Sequence, residues 1–387
     1  MAIFNVIPNF GILEKWEWLT DILTTHNGTE SRIALRELPR VTVQAPFPVI
    51  TQEQRRSLGL ILEQNIKTIV ETPLWPYVSP ITQVTTSGNS RVYFEPSRVP
   101  VVDGGILILY NPVDGTMYED DIVSVETDGA VLADNVSEDI EGHWLAIMGF
   151  EGRINDDSGF TLGPDTAELQ LEVQAYVDPA IERTDTAASL TTLNSLPILE
   201  RKFLVGAGDG LSYTRETIDG DVGLRADYSR HPHARYSGPR TFITQRLFDP
   251  TDFDYWRKFF ATVKGGQGAF LLSTQMKDLT VNTTFSANAS SISVVEGGKT
   301  DRMDYATWQY IEIEYSDGSI SRHRITASVG AGPTTLTISP NLPNDSKVAN
   351  VSRISYLLKT RMADTIQFSH GPTATAISFD VTTTDQG

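Results

Sequence analysis

His231 and His233 stand two residues apart around Pro232, a spacing that could clasp a metal ion. The chain has no cysteine, so only its six histidines and its carboxylates could supply metal ligands or general bases. His26, His143, His323 and His370 have no neighbours at a useful spacing. Asp120-Asp121, Asp156-Asp157 and Asp219-Gly220-Asp221 could ligate calcium, but none has the alternating oxygen ligands and distal glutamate of a calcium loop. Gly206, Gly208 and Gly210 begin like a dinucleotide loop, yet the third glycine would fall at Leu211. Gly298-Lys299-Thr300 ends like a phosphate loop, but Ser293 stands where the first glycine is required. A pair of glycosidase carboxylates could come from distant parts of any chain, and nothing in the order of residues singles one out here. No catalytic, cofactor-binding or metal-binding residue is therefore expected, and the reading is of a protein that is not an enzyme.

The elements that carry these residues read as mostly β. Ile311 to Tyr315 (IEIEY), Thr334 to Ser339 (TTLTIS), Leu169 to Tyr176 and Ile377 to Val381 alternate or carry β-branched residues. Asp128-Gly129 and Asp317-Gly318 each sit between two such runs, which is a hairpin signal. Two helices interrupt the pattern. Leu58, Ile61, Leu62, Ile66 and Ile69 make one apolar stripe within Gln52 to Glu71. Trp256, Phe259, Phe260 and Val263 make another, which Gly265-Gly266 should end.

The second half of the chain repeats the signals of the first in the same order. Arg40 to Gln44 (RVTVQ) matches Arg240 to Thr244 (RTFIT), and a helix follows each. Gly149 to Phe160 (GFEGRINDDSGF) answers Leu357 to Phe368 (LLKTRMADTIQF), pairing Arg153 with Arg361 and Phe160 with Phe368. Thr166 to Asp178 then matches Thr373 to Asp385. Four matches in order argue for duplication. The expected fold is mainly β (α+β): two tandem β-sandwich or barrel domains, each with one packed helix and a strand-rich insert. The first spans 1–179 with an insert at about 82–164, and the second spans 198–387 with an insert at about 281–363. A polar connector at 180–197 separates them.

Length and charge limit the function further. A chain of 387 residues suits two domains of roughly 190 residues each. Six tryptophans and sixteen phenylalanines can fill two cores. Apolar runs such as Ile106 to Tyr110 fall far short of the roughly 18 residues that span a bilayer. The first residues lack the charged and apolar regions of a secretion signal, so synthesis in the cytoplasm and no membrane association are expected. The net charge of −18 repels polyanions, so the chain should not grip nucleic acid, although a negative wall lets DNA slide past.

Gly210 to Leu279 resembles the pattern shared by tail-tip proteins of long, flexible-tailed bacteriophages and of related gene transfer agents. Phe259-Phe260, Gly265-Gly266, Gly268-Ala269-Phe270-Leu271 and Asp278 carry the likeness. The first half is similar through Asn27-Gly28-Thr29-Glu30 and Arg32, but it departs after the helix, where Lys67-Thr68-Ile69-Val70 replaces the glycine-rich turn. The resemblance implies a distal tail or tail-tube-like structural protein located at the tail tip of a virion. It would form a ring that joins the tail tube to the tail-tip hub or fibres and leaves a channel for DNA. Implied partners are other copies of the chain (a trimer with pseudo-six-fold symmetry, or a hexamer), the tail tube protein, hub or fibre proteins and the tape measure protein. The competing expectation is a carbohydrate-binding or adhesin module for host recognition, with Trp75, Tyr77, Trp144 and Trp308 as candidates to stack on sugars, although each reads first as a core or interface residue.

Overall fold

A computed structural model describes residues 7–8, 11–24, 30–49, 51–65, 67–156, 158–162, 167–176, 190–204, 210–212, 215–218, 226–229, 235–244, 250–295, 306–330, 333–345 and 349–384. Among these the chain is mainly β, with a large, chiefly antiparallel sheet and two short helices.

The first half begins with β1 (Ile12–Glu17), the hairpin β2 (Thr20–Thr24) and β3 (Glu30–Ala34), and β4 (Arg40–Val49). Helix α1 (Gln52–Asn65) precedes β5 (Val70–Pro80). Then come β6 (Arg91–Tyr93), β7 (Ile106–Tyr110), β8 (Met117–Glu126) and β9 (Gly129–Leu132). β10 (Leu145–Ile154), β11 (Gly159–Leu162) and β12 (Ala167–Ala175) close the half. The second half opens with β13 (Thr192–Leu193), β14 (Leu196–Leu199) and β15 (Gly210–Ser212). The hairpin β16 (Arg215–Ile218) and β17 (Ala226–Ser229) leads to β18 (Arg235–Thr244) and α2 (Pro250–Val263). β19 (Phe270–Ser273), β20 (Thr280–Val281), β21 (Ser291–Val295), β22 (Tyr310–Tyr315), β23 (Ile320–Val329) and β24 (Thr334–Ser339) follow. β25 (Val351–His370) and β26 (Thr375–Thr383) end it.

The pairing of the first half recurs in the second. β4 runs antiparallel to β12 with Phe47 opposite Leu169, as β18 runs antiparallel to β26 with Phe242 opposite Ile377. β5 meets β10 with Val70 opposite Gly152, and β19 meets β25 with Phe270 opposite Thr360. Gly152 also faces Ala175 of β12, as Thr360 faces Thr383 of β26. Glu17 of β1 faces Arg40, and Ser212 of β15 faces Arg235. β11 pairs β12 with Gly159 opposite Gln170, and the last part of β25 pairs β26 with Gln367 opposite Ser378. The long β25 thus does alone what β10 and β11 do together.

These pairings place Arg153 with Arg361 and Phe160 with Phe368, but they change two of the expected matches. Arg40 corresponds to Arg235, not Arg240, so Phe47 and Phe242 are the equivalent core residues. The proline before each run misleads, because Pro39 precedes β4 whereas Pro239 lies inside β18. The closing strands move by one residue. Leu169, Leu171 and Val173 correspond to Ile377, Phe379 and Val381, all six of them buried. Side chains alternate between faces along a strand, so a slip of one would have sent one apolar row to solvent.

Helix α1 is shorter than its sequence signal, whereas α2 ends at Val263, just ahead of the glycine pair expected to stop it. Asn65 ends α1, and Glu71 belongs to β5. Leu58 is buried and Leu62 packs partly against the core, whereas Ile69 lies beyond the helix. In α2 the whole stripe of Trp256, Phe259, Phe260 and Val263 is buried. Gly265, at φ +62, turns the chain where a Cβ would lie 2.9 Å from Asp364 Oδ1 and 3.0 Å from Trp18 Cβ. Only glycine fits that turn without strain. Of the segments expected as inserts, β6 to β9 and β20 to β24 lie outside the recurring pattern. β10, β11 and the stretch of β25 from Leu357 to Met362 belong to it.

Candidate functional site

β1 belongs to the first half by sequence and bridges both halves by pairing. One side meets β4 and the other meets β25, with Ile12 opposite His370 and Trp16 opposite Ile366. The alternation Glu14, Trp16, Trp18 turns these three side chains inward, and all are buried. Trp16 packs against Trp18 at 5.9 Å, Phe260 of α2 at 6.4 Å and Phe368 of β25 at 5.2 Å between ring centroids. One hydrophobic core runs from Val41, Phe47 and Leu169 through Trp16 to Phe242, Phe260 and Phe379.

A charged group is buried in this seam. Glu14 is 1% exposed, and its Oε1 accepts from Trp16 Nε1 at 2.7 Å. Its Oε2 accepts from the Tyr77 hydroxyl at 2.6 Å and lies 3.1 Å from His370 Nε2. His370 Nδ1 meets Thr375 Oγ1 at 3.0 Å. The Arg257 guanidinium lies over Tyr77 at 4.4 Å and over Trp16 at 5.9 Å. Burial alone would raise the Glu14 carboxyl. The hydrogen bond and charge of His370, the charge of Arg257 and the Tyr77 hydroxyl outweigh it and bring the carboxyl down from 4.5 to about 2. A lowered folded value contributes stability above the unfolded value and loses it as pH falls through the folded one. The expected result is a stability that declines between pH 4.5 and about 2, read by urea midpoints, with a smaller decline in Glu14→Gln.

A second contact at the seam holds the hairpin β2–β3 over the end of α2. Arg32 Nη1 donates to the carbonyl of Gly266 at 2.7 Å. Glu30 pairs with Arg32 at 2.8 Å, Arg235 at 3.1 Å and Arg361 at 3.5 Å. Asp364 accepts from the backbone N–H and the hydroxyl of Thr20 at 2.9 and 2.8 Å, and from Gly266 N–H at 2.8 Å. These groups position backbone, and their chemistry is that of an interface. The same hairpin and its flanks expose Leu19, Ile22, Leu23, Ile33, Leu35 and Leu38.

Other expected positions have structural roles or lie elsewhere. His323 is buried, with Nδ1 2.7 Å from the Pro340 carbonyl and Nε2 2.8 Å from Ser321 Oγ, and burial lowers its pKa. His143 is exposed, 3.6 Å from Glu141. Asp120 accepts from the N–H groups of Asp121 and Asp134, both at 2.8 Å, and so caps backbone. Asp278 accepts from Tyr356 N–H at 3.0 Å and from the Thr274 hydroxyl. His26, His231, His233, Asp157, the Asp219 to Asp221 cluster, Gly206, Gly208 and the Gly298 triplet lie outside the described residues. Among the described residues no group of three potential ligands could hold a metal ion, and no helix is long and apolar enough to cross a membrane.

The sugar-stacking candidates divide. Tyr77, Trp144 and Trp308 are buried and present no ring face to solvent, so they are core residues and not sugar-stacking ones. Trp75 lines an apolar cleft of about 330 Å³ with Ile7, Ile12, Tyr110, Leu145 and Pro372. The sequence missed Glu14, Arg257 and Asp364. An acid in step with two tryptophans on the inward face, Glu14 ahead of Trp16 and Trp18, was the available signal for Glu14, while His370 has its partner 356 residues away in the chain. Comparison with known proteins finds no family model that matches the chain and no curated protein that matches it.

Proposed function

We propose that this protein is a structural component of a long-tailed phage or gene transfer agent, forming a ring at the distal end of the tail. Its two halves act as tandem tail-tube-like domains, 1–179 and 198–387, joined by the connector at 180–197. The ring connects the tail tube to the hub or fibres, meets the tape measure protein and leaves a channel for DNA. The observation that carries this reading is the bridging of the two halves by β1, which continues one sheet from the first recurring unit into the second. A unit that adds edge to edge within a chain offers the same geometry for addition between chains, and such head-to-tail addition forms a ring where the rotation closes. The charge of −18 supports passage of DNA without binding, because a negative wall offers phosphates no counter-charge. The residues in the seam hold strands together, which supports a protein that is not an enzyme.

An adhesin is the second reading, favoured by the apolar cleft beside Trp75. Negative-stain electron microscopy of concentrated protein, with a glycan array run in parallel, separates the two. Rings with a central hole and no glycan signal are expected. A saturable glycan signal abolished by Trp75→Ala, from protein that forms no rings, would reverse the choice.

A further inference from the structure

Two strand edges in this protein are the counterparts of edges already joined inside it. β15 stands beside β18 as β1 stands beside β4, but on its other side no strand is paired among the described residues. β11 stands beside β12 as the last part of β25 stands beside β26, and its other side is likewise without a strand among the described residues. Inside the chain the edges of β1 and β25 join each other, with Lys15 opposite Gln367. Gly210 holds in β15 the place of Lys15, and Gly159 holds in β11 the place of Gln367. We propose that β15 of one chain pairs antiparallel with β11 of a second copy, with Gly210 opposite Gly159. The inference rests on the ring-building reading above and names the surface that carries it.

The surface beside β11 supports a second copy as the occupant. Arg361 is 12% exposed because the first half covers it, Asp364 holds three donors, and Phe368 is buried against Trp16. Their counterparts Arg153 and Asp156 are exposed, and Phe160 is only partly covered. The same arginine and aspartate therefore stand exposed, and the phenylalanine half-covered, on the one copy of the pattern that has no neighbour in the chain. A Cβ added at Gly159 would meet nothing within 4 Å, so a cysteine can be placed there without a clash. In the new contact Asp156 takes the role of Asp364, accepting from the backbone N–H of Arg215, which holds in β16 the place of Thr20 in β2. Each chain gives β15 and receives on β11. This is a head-to-tail contact that closes into a ring when the rotation permits, and it uses up edges that would otherwise invite aggregation.

The absence of cysteine makes the register directly testable. A Gly159→Cys, Gly210→Cys double variant, mildly oxidised at high concentration, is expected to give covalent multimers that neither single variant forms at its own strand pair. Lys15→Cys with Gln367→Cys is the internal control and should close within one chain without a change in mass. Phe160→Cys with Gly210→Cys sets the two thiols on opposite faces and should not cross-link. Asp156→Ala should leave the melting temperature unchanged and raise the concentration needed for assembly about tenfold, the scale of one charge-assisted hydrogen bond. Rings from wild type without cross-linking in the double variant would overturn the edge pairing alone. Equal cross-linking by the face-shifted pair would overturn the register. Monomers under all conditions would overturn both this pairing and the ring reading.

Discussion

Replacing Trp16 by alanine is expected to destabilise the protein by about 3–5 kcal/mol, the cost of opening a cavity the size of an indole in a closed core. Trp16 is 0% exposed and touches aromatic rings from α2 and β25, although it belongs to β1. The cavity would therefore open between the halves, and near-ultraviolet dichroism contributed by both should be lost in a single urea transition at a lower midpoint. A midpoint within error of wild type would mean that the seam is not packed as described. Loss of signal from the first half alone, with the second unchanged, would mean that the two do not share a core.

Glu14→Gln is expected to cost about 3 kcal/mol or more, because removing one member of a buried charged group leaves the rest without compensation. Glutamine keeps the shape but has one acceptor oxygen where the carboxylate has two. Glu14 uses both oxygens, for Trp16 on one side and for Tyr77 and His370 on the other. The Arg257 guanidinium, itself buried, would also lose the nearby negative charge. A variant as stable as wild type at neutral pH would show that Glu14 is not charged in the folded protein. A paired Tyr77→Phe variant measures the hydroxyl alone, for which roughly 1–2 kcal/mol is expected.

What the sequence disclosed followed its local periodicities. The α2 stripe was legible because four large apolar residues recur at helical steps, and all four are buried. The Arg153 and Arg361 match was legible because an aspartate and a phenylalanine follow each arginine at the same distances. The match of Arg40 to Arg240 failed because a pattern of period two fits at many offsets, and only hydrogen-bonded register chooses among them. The seam was illegible for a different reason. Glu14 meets His370 from opposite ends of the chain, and no spacing rule joins residues so far apart. The tryptophans offered for sugar stacking carry no local mark of burial, which depends on the strands packed over them.

Mass photometry across a rising concentration series tests the central claim most directly, since head-to-tail addition must appear as steps of the 42.7 kDa chain. The account predicts growth that ends at three or six chains, the populations expected of a closed ring built from paired edges. A single species at the mass of one chain at every concentration would contradict it.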